Sequence, residues 1–485
     1  MKDIPPPCTH RRKLLTAIGA IPLAFGTSRY LRAAEQQDII ILGAGLAGLY
    51  SAMLLEEQGF NVTLLEASDH VGGRVQTRTL GGVRHELGAS DIGVMYARVL
   101  DMMRRLNLQL VPSAISIKPY SYHINGRLLN ETEWASADVN RTTGDERVIA
   151  PSRLQSHLLS RYNPLENLDD WLQPEHHRLD IPIAQYLTSR GVSDEAIRLF
   201  GHAYNGIGMN RTSALSLFRD TTRTQFGIKA FRTMQAAGQP VSPLSQVAGG
   251  NQRLPEAMAA SLSTEIRFNR AAAAIAHDAE GVEVTCNDGS RYRGDFLVSA
   301  IPLTALRRIE ITPTLSADKA AIVHQMEYYA ATKFYLQAKT RFWETDGFDA
   351  SMWTDGAVER VFAGTDSNGE VHSLLVWITG QGSRRIDQMQ PAAAARHVLD
   401  TLARIRPGSK NQLEVLGYHS WGRTPYLNGC GHSYSAGQIK RYAASLPAPE
   451  GRIHFAGEHT RRREFGMEAA MASAERVVGE ILQVA

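Results

Sequence analysis

Short apolar runs alternate with glycines over residues 37–66. Residues 39–42 are a continuous apolar run of strand length, and a G-x-G-x-x-G motif follows them directly. Residues 46–58 have the length and composition of a helix, and "NVTLLEA" then ends at Glu66 as a second apolar run. Apolar runs of four to eight residues bounded by turn residues are typical of buried strands. The pattern predicts a strand, a helix and a second strand, which is the repeating unit of a parallel sheet.

The glycines of the first turn have the spacing of a dinucleotide-binding loop. Gly43 suits the tight turn, Gly45 lets the backbone approach a pyrophosphate, and Gly48 permits close packing of the helix on the strand. The N-terminus of the helix would offer free N–H groups and the positive end of its dipole to the phosphates. Glu66 closes the second strand, where a carboxylate can accept hydrogen bonds from a ribose. This context makes the motif far more specific than its glycines alone.

A second glycine motif, "GGRVQTR" at residues 72–78, follows soon after Glu66. We expect Gly72, Gly73 and Arg74 to bring the backbone and one guanidinium back to the same dinucleotide. A surface turn with a solvated arginine is the alternative, and it fits poorly directly after this strand–helix–strand unit.

The later part of the chain repeats strand-type patterns after a long interruption. Residues 111–224 indicate mostly helices and loops. "GVEVTC", the Asn-Asp-Gly turn at 287–289 and "SRYRGDFLVSA" predict a hairpin that leads into a buried strand, with Cys286 as a packing residue. The predicted segments are 1–34 (export signal), 35–110, 225–305 and 411–485 (three parts of a cofactor-binding domain), and 111–224 (mainly helical) and 306–410 (sheet and helices) of an inserted substrate domain.

Length and composition describe a soluble globular protein with more than one lobe. The chain has 485 residues, 43% hydrophobic and 21% charged, which is too long for one ordinary core. Its net charge of +3 comes from the N-terminus, because residues 1–34 hold six basic residues and one acid. The remainder is close to neutral and has no basic stripe, so a nucleic-acid partner is not expected.

The N-terminal segment resembles a twin-arginine export signal. Arg11 and Arg12 precede an apolar run over residues 14–25, which is too short to span a bilayer. This pattern predicts a periplasmic protein that is not integral to the membrane. A basic N-terminal helix on a cytosolic protein is the alternative. The twin-arginine export machinery carries folded, cofactor-loaded proteins, which agrees with a prosthetic group.

At this point the motifs resemble those of the flavin-dependent amine oxidases, the family of monoamine, polyamine and L-amino-acid oxidases and lysine demethylases. Besides the two glycine motifs, the resemblance rests on "HELGAS" at 85–90, "GGNQRLPEAMA" at 249–259, "ATKFYLQAKTRFW" at 331–343 and "FAGEHT…GMEAA" at 455–470. It covers most of the chain after residue 37. It implies an α/β fold, in which a Rossmann-like FAD-binding domain built from discontinuous segments carries an inserted α+β substrate-binding domain. The second cofactor motif and "FAGEHT" favour FAD over NAD.

The resemblance also implies roles for individual residues. Lys333 matches the lysine that holds a water beside flavin N5, and burial in an apolar strand would lower its pKa. A lysine that extends to solvent from a strand end is the alternative. Glu458 would lie near the ribityl or phosphate region, and the helix N-terminus at 466–468 near the pyrimidine end of the ring. Further cofactor-binding residues implied by the family motifs are Gly88, Ala89, Ser90, Gly457, Gly466 and Met467.

The substrate pocket departs from two patterns of the family. Monoamine oxidases place two tyrosines against the substrate nitrogen, whereas the matching positions here are Gly431 and Gly466. Tyr434, Trp421 or Phe465 would have to rebuild that aromatic cage. L-amino-acid oxidases carry an arginine for the substrate carboxylate shortly after "LG", and that place holds Asp91.

An aspartate at that place repels a carboxylate and attracts an ammonium, so amines are favoured over amino acids. Asp91 could equally be the N-cap of the following helix. Arg78 and Arg84 stay open as carboxylate ligands.

Cys430 lies between two glycines in "YLNGCGHSY". In monoamine oxidases a Gly-Cys pair after a tryptophan and a tyrosine bonds the flavin 8α-methyl group, and Trp421 and Tyr426 precede Cys430 in the same way. Covalent attachment of FAD through Cys430 and a packed free thiol both stay open. Disulfide or metal use is not expected, because the cysteines lack the spacing of a framework or a metal site.

The resemblance implies FAD-dependent oxidation of an amine. A hydride passes from the α-carbon to flavin N5, the imine hydrolyses to an aldehyde plus ammonia or an amine, and O2 or another acceptor reoxidises the flavin. The alternatives are an L-amino-acid oxidase or dehydrogenase, a desaturase-like flavoenzyme, and a flavin-bearing binding protein without turnover. The expected partners are a small amine, the electron acceptor and the export machinery, and a homodimer stays open.

Overall fold

Regular elements follow the predicted pattern from residue 38 onward in the computed structural model, which describes residues 36–113, 115–116, 120–366 and 368–485. The predicted export signal lies outside the described residues. Residues 37–485 form one unit. The described strands are β1 Asp38–Leu42, β2 Asn61–Leu65, β3 Thr77–Leu80, β4 Val83–Glu86, β5 Ile92–Gly93, β6 Leu110–Pro112, β7 Ile115–Ser116, β8 Ser121–Ile124, β9 Arg127–Asn130, β10 Leu244–Val247, β11 Ile266–Arg267, β12 Ala272–His277, β13 Val282–Cys286, β14 Arg291–Gly294, β15 Phe296–Ser299, β16 Glu310–Thr312, β17 Glu327–Tyr329, β18 Ala331–Ala338, β19 Met352–Thr354, β20 Arg360–Thr365, β21 Val371–Thr379, β22 Leu413–Ser420, β23 Gly431–Ser433 and β24 Ile453–Phe455.

The helices occupy the connections between these strands, and short 3₁₀ turns interrupt several of the loops. Helices concentrate in residues 151–236, which agrees in part with the mainly helical prediction for 111–224, but β7, β8 and β9 at the start of that segment were not predicted. The described α-helices are α1 Leu46–Glu57, α2 Ala97–Arg105, α3 Pro151–Tyr162, α4 Ile183–Ser189, α5 Asp194–Gly201, α6 Ala214–Ala236, α7 Arg253–Ala260, α8 Leu303–Leu306, α9 Ala317–Gln325, α10 Phe342–Asp346, α11 Gly380–Asp387, α12 Pro391–Ile405, α13 Gln438–Tyr442 and α14 Gly466–Leu482.

The central element of the nucleotide-binding half is a parallel sheet in the order β11-β2-β1-β15-β24. Strand β1 is buried on both faces: Ile39 and Ile41 pack into one core with α1 and α14, while Ile40 and Leu42 join the core on the opposite face. A strand covered on both sides needs a continuous apolar run rather than an alternating one. The predicted strand–helix–strand unit at residues 38–65 is therefore confirmed.

The strands of this sheet come from distant parts of the chain. β1 and β2 are close in sequence, whereas β11, β15 and β24 join from residues 266, 296 and 453 onward. The chain leaves the sheet between these visits to build the other sheets and the helices. This arrangement confirms the α/β class and the discontinuous cofactor domain. The boundaries drawn from the sequence stay predictions, because residues 37–485 form one unit.

The second large sheet is mostly antiparallel and has the order β22-β18-β21-β20-β19-β8-β9, with β7 paired to β20. Strand β18, next to the edge strand β22, carries Lys333, whose direct cross-strand neighbours are Trp377 on β21 and His419 on β22. On the far side of β21, Trp377 pairs with Arg360 of β20. Directly opposed residues share one face of a sheet, so this register brings Lys333, Trp377 and Arg360 to the same face.

The predicted hairpin is present in a smaller sheet, β14-β13-β12-β16. β13 and β14 pair antiparallel across the predicted turn, and Gly289 adopts the positive φ of +84° that the turn requires. Cys286 ends β13 and is buried, which agrees with its predicted packing role. β15 follows as a strand buried along its whole length, as the sequence pattern indicates.

Helices α3 to α6 share one hydrophobic core with a face of the large antiparallel sheet. Trp134 and Trp171, which the sequence places among polar stretches, are both almost completely buried there. Their indole N–H groups donate to the carbonyl oxygens of Ile149 and Arg462, at 2.9 and 3.0 Å, which makes the burial of a polar atom tolerable. Within the described residues, no helix is long and apolar enough to span a membrane.

Two glycines of the first loop provide a matched test of this packing. A methyl group at Gly48 would lie 1.8 Å from the carbonyl oxygen of Gly43, whereas one at Gly45 would meet no described atom within 4 Å. We expect Gly48→Ala to lower the free energy of unfolding of the apoprotein by at least roughly 2 kcal/mol, because α1 must move away from the sheet. Gly45→Ala should change it by less than about 0.5 kcal/mol. Denaturant titration measures both, and equal losses would contradict the packing argument.

Candidate active site

The glycine-rich loop and the second glycine motif lie against each other. Gly72 donates its N–H to the carbonyl of Ala44 at 2.9 Å, and a methyl group at Gly73 would lie 3.6 Å from the Cα of Gly45. Gly43 has a φ of +98°, as the predicted tight turn requires. In the described structure, α1 begins at this loop with no side chain capping it and no acid in its first turn. Its N–H groups are thus available to an anion.

Glu66 joins this loop to the end of β2. One carboxylate oxygen accepts from the N–H of Ala44 at 2.7 Å, and the other accepts from the N–H and hydroxyl of Ser68 at 2.8 and 2.7 Å. A carboxylate has about four acceptor positions, so one remains on the oxygen that faces the loop. This placement is compatible with the predicted ribose contact, which stays a prediction.

Lys333 lies on β18 of the large antiparallel sheet and is buried, with 3% of its surface exposed. Its Nζ donates to the carbonyl oxygens of Glu86 and Gly88, at 2.9 and 3.3 Å, and lies 4.9 Å from the centre of the Trp377 ring. Burial lowers the pKa of Lys333 to about 8. The alternative of a lysine that extends to solvent is therefore wrong. The sequence correctly indicated a buried lysine, and the contacts join it to the "HELGAS" segment.

The "HELGAS" segment is held by close packing that only glycine allows. A methyl group at Gly88 would lie 1.8 Å from the carbonyl oxygen of Arg74 and 2.8 Å from the Trp421 ring. The N–H of Ala89 donates to the same carbonyl at 3.1 Å, and the indole N–H of Trp421 donates to Leu87 at 2.9 Å. The second glycine motif, this segment, Trp421 and Lys333 therefore meet at one place.

Cys430 lies at the edge of this assembly. Its carbonyl oxygen accepts from the guanidinium of Arg74 at 2.8 Å, and its N–H donates to Tyr329 at 2.8 Å. Of the described cysteines, Cys286 and Cys430 are both free thiols. Burial raises the pKa of the Cys430 thiol. Covalent attachment of flavin through this sulfur stays a prediction, and acid precipitation, which leaves a colourless pellet unless the flavin is bonded, decides it.

Glu458 belongs to a buried network of charges. Burial opposes its ionisation, but Arg461, His432 and Arg74 hold the pKa of its carboxyl well below the usual value. Nδ1 of His432 lies 3.1 Å from one carboxylate oxygen, and Nε of Arg461 lies 3.3 Å from the other. The network continues through Asp220, which accepts from both Arg461 and Arg219 at 3.0 Å.

Several polar atoms of this region are buried without a hydrogen-bond partner among the described residues. They include both terminal nitrogens of Arg219, Nη1 of Arg461, Nε2 of His432 and the hydroxyl of Ser299. Ser299 is the last residue of β15, beside the point where the parallel sheet reverses its strand order. Ligands of such sheets bind at that point, at the carboxyl ends of the strands. Together with the glycine cradle, these unpaired groups fit a dinucleotide cofactor.

Helix α14 begins at Gly466, as the sequence predicts for the last cofactor motif. Gly466 has a φ of +57°, and a methyl group there would lie 2.9 Å from the hydroxyl oxygen of Tyr96. Met467 is buried. Gly457 has a φ of +124°, and its N–H donates to the hydroxyl of Ser473 at 2.7 Å. Helix α14 therefore holds both parts of the motif, since it begins at Gly466 and its Ser473 binds Gly457. Contact of the motif with a flavin stays a prediction.

The N-cap interpretation of Asp91 is wrong. α2 begins at Ala97 with Tyr96 as its N-cap. The carboxylate that satisfies the first turn comes from Glu468 on α14, whose oxygens accept from the N–H groups of Arg98 and Val99 at 3.0 to 3.2 Å. Glu468 lies far away in sequence, so no local pattern could have identified it.

Asp91 instead faces the site around Lys333. One of its oxygens accepts from the hydroxyl of Ser90 at 2.9 Å, and the other is buried without a partner among the described residues. Its negative charge acts to raise the pKa of both Lys333 and Glu86. Arg78 and Arg84, the other candidates for a carboxylate contact, are exposed on the β3–β4 hairpin.

The candidates for an aromatic cage lie in different places. Trp421 is buried against Gly88, as described above. Tyr434 is buried beside Trp171, with ring centres 6.3 Å apart, and the guanidinium of Arg219 lies 5.6 Å from its ring. The position of Gly431 is covered by a residue that sequence reasoning missed, because a methyl group there would lie 2.7 Å from the hydroxyl oxygen of Tyr329. Arg360 and Trp377 were missed as well, since only strand register reveals them.

A glycine cradle, an acid at the end of β2 and a buried lysine near the cradle are typical of a nucleotide-dependent oxidoreductase. The family model for flavin-containing amine oxidoreductases matches residues 46–482. The chain belongs to this family. It is a flavoenzyme that uses FAD to oxidise amines, as its motifs led us to expect.

Curated relatives agree with this assignment, and solved structures share the fold. The chain is 26% identical to an L-amino-acid oxidase of Siganus canaliculatus over 464 residues, 91% of this chain and 85% of that protein. It is 24% identical to a flavin-containing amine oxidase of Danio rerio over 474 residues, 93% of this chain and 86% of that protein. Putrescine oxidase bound to putrescine superposes with a TM-score of 0.73 at 20% identity, covering 92% of this chain and 99% of that one. Cyclohexylamine oxidase from Brevibacterium oxydans gives 0.72 at 22% identity, covering 92% and 100%.

The lowered pKa of Lys333 makes protein stability depend on pH. The folded chain releases the lysine proton near pH 8, whereas the unfolded chain holds it up to about 10.5. The unfolded state therefore binds more protons between these values, and the stability of the wild type rises with pH there. We expect the free energy of unfolding of wild type relative to Lys333→Met to increase by up to about 3 kcal/mol from pH 7 to pH 10.5.

Denaturant titration of both apoproteins at several pH values measures this difference. Lys339→Met, one residue beyond the end of the same strand, is the control, because Lys339 is exposed. A difference between wild type and Lys333→Met that does not change with pH would contradict a buried, readily deprotonated lysine.

Proposed function

We propose that this flavoenzyme oxidises amines that carry no carboxylate on the reacting carbon. The observation that carries the proposal is the carboxylate of Asp91, which lies in the region of Lys333 with one buried oxygen unpaired among the described residues. A fixed negative charge beside the site repels a substrate carboxylate and attracts an ammonium group. The exposed positions of Arg78 and Arg84 leave neither of them to offset that repulsion.

FAD, when bound, supplies the oxidant that takes a hydride equivalent from the carbon next to the amine nitrogen. The residues suited to hold it are the glycine cradle, Glu66, Arg74 and Glu458. The imine product then hydrolyses to an aldehyde and ammonia or a smaller amine. The protein's own contribution is to bind and orient the amine and to move a proton.

Lys333 is the group best suited to that proton step. Its pKa of about 8 leaves a substantial neutral fraction at slightly alkaline pH, and its Nζ is held by two carbonyl oxygens that cannot donate a proton to it. A lysine nitrogen has three donors when charged, so one position remains for a water or the substrate. Neutral Lys333 can accept a proton there, and charged Lys333 can orient a water.

The choice between amines and amino acids is testable with pairs that differ only in the carboxylate, such as phenethylamine and phenylalanine or cadaverine and lysine. Anaerobic flavin bleaching in a stopped-flow instrument gives the rate and the apparent affinity of each. We expect the amine of a pair to have at least about tenfold higher efficiency, since a like charge near a ligand costs several kcal/mol. Asp91→Asn should lower the ratio of the amine's efficiency to the amino acid's, because it removes the charge and keeps the shape of the side chain.

Asp101→Asn is the matched control, because Asp101 is an exposed aspartate that pairs with Arg104 at the surface. It should leave the ratio unchanged. Faster bleaching by the amino acid of each pair in the wild type would overturn the proposed preference, and bleaching by neither member of any pair would count against turnover of amines altogether.

We further propose that the chain is exported through the twin-arginine pathway to the periplasm. The paired arginines and the short apolar run of the N-terminal segment support this. Replacing Arg11 and Arg12 with lysine should retain active, FAD-loaded enzyme in the cytoplasm, because the export machinery recognises the arginine pair. Arg29→Lys and Arg32→Lys in the same segment are the control. Fractionation of a bacterial host measures the result, and unchanged periplasmic enzyme after the paired replacement would refute the pathway.

A further inference from the structure

Three neighbouring strands of the large sheet bring a second cation close to Lys333. Lys333 on β18 pairs with Trp377 on β21, which pairs with Arg360 on β20. The Lys333 ammonium and the Arg360 guanidinium lie 4.9 and 4.8 Å from the centre of the same indole ring. Trp377 thus separates two cations on one face of the sheet, and the first of them touches the "HELGAS" segment.

Arg360 has no ion pair among the described residues, although it is half-buried. Its Nη2 donates to Asn205 at 3.2 Å and makes a long contact of 3.5 Å with the hydroxyl of Thr379. Its sequence neighbour Glu359 acts on it electrostatically but makes no ion pair or hydrogen bond with it, and one Glu359 oxygen accepts from both the N–H and the hydroxyl of Thr379. Within the described structure, Nε of Arg360 is buried without any acceptor.

Trp377 presents a second donor of the same kind. Its indole Nε1 is also buried without an acceptor among the described residues. Natural proteins pair nearly all buried donors, and an unpaired buried charge is particularly costly. Two adjacent donors, one of them a guanidinium, together fit an anionic oxygen acceptor, and arginine binds carboxylates with two parallel hydrogen bonds.

The cofactor's phosphates are not the natural partner of this pair. The glycine cradle, the N-terminus of α1 and Arg74 belong to the parallel sheet, whereas Arg360 and Trp377 belong to the large antiparallel sheet with Lys333. The proposed function places the amine substrate beside Lys333, which makes the substrate a natural source of the anion.

We infer that Arg360 and Trp377 bind a carboxylate that the amine substrate carries on a carbon other than the reacting one. The inference rests on the proposed function, because Asp91 disfavours a carboxylate next to the reacting nitrogen. Asp91 and Arg360 then give the pocket opposite charges in two places, one for an ammonium group and one for a distant carboxylate. The substrate class is an ω-amino acid or a related amine with a remote acidic group.

Binding of a carboxylate that cannot be oxidised tests the site without turnover. Butanoate and pentanoate are titrated into the FAD-loaded enzyme by calorimetry, with butanol and pentanol as uncharged analogues. We expect Arg360→Met to weaken carboxylate binding roughly ten- to hundredfold, and Arg360→Lys and Trp377→Phe to weaken it by smaller factors. Arg404→Met, which removes an exposed cation of α12, is the control and should have no effect.

A kinetic comparison separates this inference from the proposed function. 4-Aminobutanoate, 5-aminopentanoate and 6-aminohexanoate are compared with the alkylamines and the α-amino acids of equal length, in wild type and variants. We expect the best ω-amino acid to exceed its alkylamine in efficiency, and Arg360→Met to remove that advantage mainly through KM, while the alkylamine is affected less than about threefold.

Each outcome of these experiments supports or overturns one statement. If α-amino acids are the best substrates and Arg360→Met abolishes their advantage, Arg360 binds a carboxylate but the proposed preference for amines is wrong. If carboxylate binding and the substrate ranking are the same in wild type and in Arg360→Met, the inference is overturned and the proposed function stands. Flavin content and melting temperature show whether each variant is folded. If Arg360→Met does not fold, the comparison rests on Trp377→Phe and Arg360→Lys.

Discussion

The contact between the Lys333 ammonium and the carbonyl oxygens of Glu86 and Gly88 is the interaction around which the site is arranged. It joins strand β18 of the large antiparallel sheet to the segment that packs on the second glycine motif. A charged group in this position is costly to bury, and hydrogen bonds to backbone carbonyls offset only part of that cost. The remaining cost is visible in the lowered pKa of Lys333.

The parallel sheet and the large antiparallel sheet contribute different kinds of chemical groups to the site around Lys333. The parallel sheet supplies rigid backbone: glycines that permit close approach and a helix N-terminus free of side-chain caps among the described residues. The antiparallel sheet supplies side chains in register, with Lys333, Trp377 and Arg360 in one row. Glu458, Arg461 and Asp220 form a buried network of charges. Donors of this network that lack a partner among the described residues fit a bound cofactor.

The elements near the N-terminus were predictable because their causes are local. A buried parallel strand needs an apolar run, and the turn after it needs glycine at Gly43, so both are visible in the order of residues. The importance of Lys333 was also predictable, because a lysine within an apolar strand is costly to bury unless it has polar partners. The N-cap interpretation of Asp91 failed for the opposite cause. The first turn of α2 is satisfied by Glu468, a residue brought to it from the last helix, and a sequence offers no signal for a cap that arrives from so far away.

The sequence by itself determined the parallel nucleotide-binding unit, the glycine cradle, the buried lysine and the family to which these belong. Each of them depends on neighbours within a few residues or on motifs in a fixed order. Only the tertiary structure decided what surrounds the lysine: that Trp377 and Arg360 share its face, that Tyr329 covers Gly431, and that Asp91 is turned toward the site. These facts depend on strand register and on packing between distant segments. A shift of one residue in register would turn Arg360 to the opposite face without altering the sequence pattern.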